Sequence, residues 1–363
     1  AGIGGTLVNA ALCGAIALAV IIGLKVTISG PTFAAVLTII GFGFFGKTPL
    51  NIIPIIAGVF LAARYAGKQV QEYLIIALFG TALGPIVSFV LFEFALSAAV
   101  AIPLAVLIGL LSGFLLPPLA FSILNFHQGY NLYNMGMTCG FFALFAASFF
   151  RASGHTFSTS MAWYGGNALL PVLLVPVLSL LLIITAFSGG VKKAFTALRE
   201  ITGLPGRLPS DFMDMASIDG ALLNSGLLGL AGSIYLLAIG ADFSGPVIGG
   251  LLTVMGFGAF GTHVKNSWPV VLGVVGGTLL FGWELSSPGP VLAALFGTTL
   301  APVAGQFGII PGIIAGVIHI VMVMQTGAWQ GGINLYNNGF AGGLTAALLV
   351  ALIQWRNANR KDF

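Results

Sequence analysis

Charge is what this chain has least of. Nine acidic and thirteen basic residues among 363 make 6% charged, against about 25% in a soluble domain. The deficit is matched by 58% hydrophobic residues and a mean hydropathy of +1.07, which excludes a water-soluble globule. Cysteine is also scarce: Cys13 and Cys139 both fall in apolar runs, so neither a disulfide framework nor a metal site is indicated. HExxH, Gly-x-Ser-x-Gly and paired intramembrane aspartates are missing, so the enzyme readings fail and no cofactor is expected. Gly41 to Thr48 has the spacing of a phosphate-binding loop, but its filler is Phe42, Phe44 and Phe45 and no soluble strand-helix unit surrounds it, so the match is fortuitous. The net charge of +4 is dispersed and not gathered on one face, which removes nucleic acid as a partner.

What remains is apolar and helical. Runs such as 168–187 show no period-two alternation, so closed β-barrel strands are not expected. A bilayer-spanning helix needs roughly 20 apolar residues, and helices satisfy their own backbone groups in lipid. The chain therefore reads as an all-α polytopic membrane protein whose first partner is the lipid bilayer. Crossings are expected at 5–24, 31–46, 50–66, 71–92, 97–119, 135–150 and 168–187. A second set follows at 221–240, 246–261, 267–282, 289–305, 308–325 and 339–355, making about 13 in all.

One pattern occurs twice. Gly41-Phe-Gly-Phe-Phe-Gly46 leads to Asn51, Pro54 and Gly58, and Gly256-Phe-Gly-Ala-Phe-Gly261 leads to Asn266, Pro269 and Gly273. The offset is 215 (266 − 51) and already holds between Asn9 and Asn224. Ala77-Leu-Phe-Gly-Thr81 returns as Ala294-Leu-Phe-Gly-Thr298 at 217, and Asn131-Leu-Tyr-Asn134 returns as Asn334-Leu-Tyr-Asn337 at 203. The first copy thus carries 14 extra residues (217 − 203) between Pro85 and Asn131. Two copies at this scale point to transporters and channels, not solenoids. The domains are 1–150, a first repeat; 151–220, an outer loop, an extra crossing and a linker with a short helix near 191–201; and 221–363, a second repeat.

The basic residues give the orientation. With the linker and its Lys192, Lys193, Arg199 and Arg207 inside, Lys25, Arg64, Lys68, Lys265, Arg356, Arg360 and Lys361 also fall inside. Lys47 and Arg151 are left outside, so eleven of thirteen obey the positive-inside rule and the C-terminus is cytoplasmic. Seven crossings separate the starts of the two copies, an odd number, so the repeats are expected to be inverted. That parity requires 31–46 and 246–261 to cross fully.

The candidate pathway lies where helices are interrupted near the midplane. Gln128, Tyr130, Asn131, Tyr133 and Asn134 form one interruption; Gln330, Asn334, Tyr336, Asn337 and Asn338 form the other. Dense glycine, the low helix propensity of Asn and amide side chains predict re-entrant breaks there. Amides donate and accept at once, which suits a small neutral polar solute; the alternative is interhelical glue. Asn51, Asn266, Thr81 and Thr298 join this set, with Phe42, Phe45, Phe257 and Phe260 as the constriction. Lys47 and His127 are the ion or gating candidates, but neither is duplicated, their partners being Thr262 and Gln330. Interface snorkelling is the expectation for Lys47 and loop hydrogen bonding for His127.

In motif order the chain resembles the urea transporter family: Asn51 to Gly58, then Gly80-Thr81, then Gly129-Tyr130-Asn131 into Gly136 and Gly140, and again Asn266 to Gly273, Gly297-Thr298, and Gly332-Ile333-Asn334 into Gly339 and Gly343. It departs where Tyr130 becomes Ile333 and where an Asn with a proline three residues on replaces that family's Asn-Pro. It is also similar to a family of uncharacterised bacterial multi-pass membrane proteins. These resemblances imply a channel-like fold in a bacterial inner membrane and a homo-oligomer, a trimer favoured, with one pore per subunit. The expected function is a channel or facilitator for a small polar, uncharged, urea-like solute. The alternatives are an H⁺- or Na⁺-coupled secondary transporter and a non-transport integral subunit or enzyme.

Overall fold

The computed structural model describes residues 2–157, 163–166 and 168–359, and among them there are helices and turns but no strands. The first repeat comprises α1 (Ile3–Gly23), α2 (Gly30–Gly43), α3 (Pro49–Tyr65), α4 (Leu74–Gly80), α5 (Gly84–Glu93), α6 (Ala98–His127) and α7 (Asn134–Ala152). Then come α8 (Leu169–Ala186), α9 (Val191–Ile201) and α10 (Phe212–Met215). The second repeat comprises α11 (Ile218–Ala238), α12 (Gly245–Phe257), α13 (Val264–Leu280), α14 (Pro288–Gly297), α15 (Ala301–Phe307), α16 (Ile309–Trp329) and α17 (Asn337–Asn359). Each of the expected crossings is helical over most of its length. Nine of these segments are long and apolar enough to span a bilayer, while 30–43, 49–65 and 245–257 are shorter apolar helices. Ile22, Leu50, Phe149 and Leu280 are each more than 70% exposed, a surface suited to lipid. Arg360 and Lys361, two of the residues used for orientation, lie outside the described residues.

The sequence offsets become structural ones. α1 and α11 are both 21 residues long and begin 215 apart (218 − 3), and α3 and α13 are both 17 residues long at the same offset (264 − 49). The 14 extra residues lengthen α5 relative to α15, widen the turn before α6 and extend α6 to 30 residues against 21 in α16.

Local chemistry starts and breaks these helices. Ser29 caps α2 through Thr32, and Thr48 caps α3 through Asn51, each followed by a proline whose missing N–H costs nothing in the first turn. His263 takes the place of Thr48 in the second copy and caps α13 through Asn266. Between α4 and α5, and between α14 and α15, three residues tighten into 3₁₀ turns, 81–83 and 298–300. Pro85 and Pro302 follow these turns and cannot donate the bond a continuous helix would make.

The halves interlock reciprocally. Leu132 N–H donates to the Thr299 carbonyl at 3.0 Å, and its counterpart Leu335 N–H donates to the Ala82 carbonyl at 3.0 Å. Each Asn-rich turn therefore docks on the broken helix of the other copy. A side chain at Gly41 would meet Gly249, and one at Gly256 would meet Ala34, its counterpart, so α2 and α12 cross in opposite directions at backbone contact. Gly136 on α7 and Gly339 on α17 touch at the symmetry point itself.

Within each half, α3 packs on α6 and α13 on α16 through matched glycines. A Cβ on Gly113 would sit 2.1 Å from the Ile55 carbonyl oxygen, and one on Gly316 would sit 2.1 Å from that of Val270. Gly113→Ala and Gly316→Ala are expected to cost about 1–3 kcal/mol by overpacking, read as a lower melting temperature in detergent. Gly276→Ala, with nothing within 4 Å of its added carbon, should leave the melting temperature unchanged or slightly raised.

Candidate functional site

Aromatic rings close the centre of the molecule. Phe42 lies 4.8 Å from Phe45, 5.6 Å from Phe296 and 4.7 Å from Tyr336, measured between ring centroids. The symmetry-related set repeats this, with Phe257 at 5.3 Å from Phe260, 5.7 Å from Phe79 and 4.5 Å from Tyr133. Eight rings, four from each half, thus form one layer in which the expected constriction residues Phe42, Phe45, Phe257 and Phe260 meet. Phe79 and Phe296 belong to it although sequence reasoning left them out. Their signal was the duplicated Ala-Leu-Phe-Gly-Thr, in which the threonine drew attention away from the ring.

Two cavities adjoin this layer: every ring but Phe45 lines the smaller, and Phe45 and Phe296 line the larger. The smaller, about 300 Å³, is almost wholly apolar and is lined by Pro31, Ile75, Leu124, Tyr133 and Asn134, with Leu208, Pro209 and Ser210 of the linker at its mouth. The larger, about 1440 Å³, is lined by Pro246, Leu292, Gly327 and Asn337, which are the counterparts of Pro31, Ile75, Leu124 and Asn134, and by Phe157, Trp163 and Tyr164 of the loop before α8. The loop and the linker flank opposite ends of α8, so the cavities face opposite ends of the helix bundle. Phe296, Leu335 and Asn338 line both.

The linker is more than a solvated connection. Leu208 N–H donates to the Gly129 carbonyl at 3.0 Å, Arg207 Nε donates to the Gln128 carbonyl at 2.8 Å, and Asp211 Oδ1 accepts from Gly30 N–H at 3.0 Å. The Arg207 guanidinium also lies 4.4 Å over the Tyr130 ring. Two linker charges, Arg207 and Asp211, are therefore bound to the first repeat, beside the smaller cavity.

Most of the expected pathway amides are occupied with backbone. Asn51 Oδ1 accepts from Thr48 N–H at 2.9 Å and its Nδ2 donates to the Gly46 carbonyl at 2.9 Å; Asn266 repeats both bonds with His263 and Gly261 at 2.8 and 3.0 Å. Asn131 and Asn334 fold their Oδ1 back onto the N–H of Tyr133 and Tyr336, an Asx turn in each copy. Asn134 and Asn337 donate to the carbonyls of Ala120 and Val323, both at 3.3 Å. Asn51, Asn131, Asn266, Gln330, Gln128, Tyr130, Thr81, Thr298 and His127 line neither cavity. Gln128 pairs with Gln354 at the surface, Tyr130 stacks on Phe307 at 5.0 Å, and His127 holds Asn134 at 3.0 Å, the local hydrogen bonding expected of it. Asn334 lines the larger cavity, and Asn338, which does reach both, is held by His319 at 3.1 Å.

Lys47 corrects the expectation of interface snorkelling. Its side chain is 0% exposed. The ammonium donates to Thr81 Oγ1 at 2.7 Å and Tyr336 Oη at 2.5 Å, and lies 4.6 Å over the Tyr336 ring and 5.4 Å over the Phe42 ring. Hairpin geometry explains the burial: the turn after α2 folds back, and Asn9 ties its Gly43 and Lys47 carbonyls to α1. Asn224 makes the same two bonds in the second copy, to the Gly258 and Thr262 carbonyls. There Thr262 replaces the lysine, and its hydroxyl and that of Tyr133 are buried without a partner.

Helices long enough to span lipid, duplicated and interlocked around a central layer, define a multi-pass helical membrane protein. The chain belongs to the family described as Protein of unknown function (DUF1576), which matches residues 1–152 and 191–355. Comparison with curated proteins and with solved structures finds no match, urea transporters included.

Loss of the capping amides has a defined cost. Asn51→Ala and Asn266→Ala each leave buried backbone groups unpaired and are expected to destabilise by about 1–3 kcal/mol. Thermal unfolding in detergent should show both, with Gln128→Ala unchanged as the surface control.

Proposed function

We propose that this protein is a membrane transporter for a small solute, built from two inverted repeats and working by alternating exposure of a central site. Three observations support the inverted arrangement. The contacts of α2 and α12 run in opposite directions, so the axis relating the repeats crosses these helices and does not run along them. If the thirteen helical segments all cross, the copies start on opposite faces. Most of the basic residues then fall on one side.

The unequal pair of cavities carries the proposal. Their outer linings are related by the repeat, as Pro31, Ile75, Leu124 and Asn134 are to Pro246, Leu292, Gly327 and Asn337, yet one holds about 300 Å³ beneath the linker and the other about 1440 Å³. Inverted repeats that adopt two slightly different conformations open one side and close the other, and exchanging those conformations opens the second side. The aromatic layer between the cavities is the barrier that such an exchange would pass between faces. The channel or facilitator expected from sequence, with these phenylalanines as its constriction, gives no role to unequal vestibules. The engaged amides likewise leave little of the hydrogen-bonding ladder that a urea-like solute would need.

Proteoliposomes distinguish the two modes. With a panel of urea, glycerol, ammonia, acetate and chloride, alternating exposure predicts that at least one flux saturates and is accelerated by unlabelled solute on the far side. A linear flux without trans-acceleration would return the reading to a channel, and dependence on an H⁺ or Na⁺ gradient would make it a coupled carrier. Orientation has its own measurement: Ser188→Cys should react with an impermeant maleimide only in inside-out vesicles, and labelling in intact cells would reverse the topology.

A further inference from the structure

In its charged form a buried ammonium calls for a counter-charge, and among the described residues no carboxylate lies within 4.0 Å of Lys47 Nζ. Among the described residues, the one ion pair within 4.0 Å joins Lys193 to Asp219, in the linker and at the start of α11. The acceptors of Lys47 are two neutral hydroxyls, from Thr81 and Tyr336. The Phe42 and Tyr336 rings present their faces to it, an arrangement that favours the charged form of the amine. Removing an ion from water without an opposite charge is strongly unfavourable, so an anion bound beside Lys47 would stabilise the protonated amine.

Its place in the fold says what could reach it. Lys47 lines the larger cavity, whereas Phe42 and Tyr336, the rings that hold its ammonium, line the smaller. The charge therefore sits in the partition, within reach of whatever passes between the cavities. The ammonium has three donors and two are used. In the same aromatic layer the Tyr133 hydroxyl is buried without a partner and is available as a further donor. The symmetry-related position holds Thr262, so the site carries a single positive charge.

Resting on the transport reading above, we propose that Lys47, with Tyr336 and Tyr133, forms the binding site for a small monovalent anion, and that such an anion is the transported solute. One cation among neutral donors balances one negative charge; a dianion would be left half compensated in a low-dielectric layer, and a cation would be repelled. This departs from the uncharged solute expected from sequence, where Lys47 was placed at the membrane interface. The charge acts by binding alone, with no covalent step.

The test uses the purified full-length chain and five probe anions: chloride, nitrate, formate, acetate and lactate. At least one should raise the melting temperature of the wild-type protein in detergent and enter proteoliposomes at least tenfold faster than protein-free vesicles. Lys47→Met should abolish the thermal shift and slow that flux at least tenfold. Because the substitution removes an uncompensated charge, the variant should melt at or above the wild type in the absence of the anion, which guards against misfolding as the cause. Lys47→Arg should keep part of the thermal shift. If none of the five anions shifts the melting temperature or moves, the anion site is overturned. Urea or glycerol moving at a rate that Lys47→Met leaves unchanged would then leave the transport reading standing on its own. If no solute of either class moves, the transport reading fails; thermal shifts lost in Lys47→Met would still support the anion site, and their absence would overturn it as well.

Discussion

Two backbone hydrogen bonds exchanged between the halves hold the centre of this protein together: Leu132 to the Thr299 carbonyl and Leu335 to the Ala82 carbonyl. In lipid every backbone group must find a partner inside the protein. Pro85 and Pro302 remove the donors that the Thr81 and Thr298 carbonyls would meet in a continuous helix, and Gly84 and Ala301 N–H take those carbonyls up in 3₁₀ turns, while the adjacent Ala82 and Thr299 carbonyls accept from the other copy. Each half thus places a backbone donor on the broken helix of the other, and this reciprocal exchange ties the two copies together at the centre.

The central layer follows from that exchange. Docking each Asn-rich turn on the opposite break carries Tyr133 and Tyr336 into the middle, where they meet the phenylalanines that close α2 and α12. Gly136 and Gly339 allow the approach, because a side chain on either would strike the other's backbone. The asparagines that mark the turns in sequence act as fasteners, returning their amides to nearby N–H and C=O groups. The symmetry is then broken by two features: a linker that lies over one cavity, and a lysine that appears in one copy.

Much of the architecture was legible in the residues. The helical segments and the linker helix at 191–201 follow from apolar runs and charges, and the structure has helices at those positions. Phe42, Phe45, Phe257 and Phe260 were placed at the constriction, and they are in the central layer. Asn51 and Asn266 were expected to face the pathway because amides at helix interruptions are commonly functional; Thr48 and His263 turn them instead into capping-box partners. That distinction depends on whether a side chain points along its own helix start or away from it, and spacing does not encode it. Lys47 could not be placed either, since a cation beside an apolar segment reads as an interface residue until the fold of the turn is known.

The chain of residues determined that the protein lives in a membrane, that it is duplicated at offsets of 215, 217 and 203, and where its helices start and break. Those are local matters of hydropathy, capping and proline, all written in short windows of sequence. Only the tertiary structure decided which break each Asn-rich turn serves, because the two turns share the same tetrapeptide and either could dock on either break. It also decided that the buried Lys47 stands between two unequal cavities, since burial there requires groups from both halves, with Thr81 and Tyr336 lying far apart in the chain.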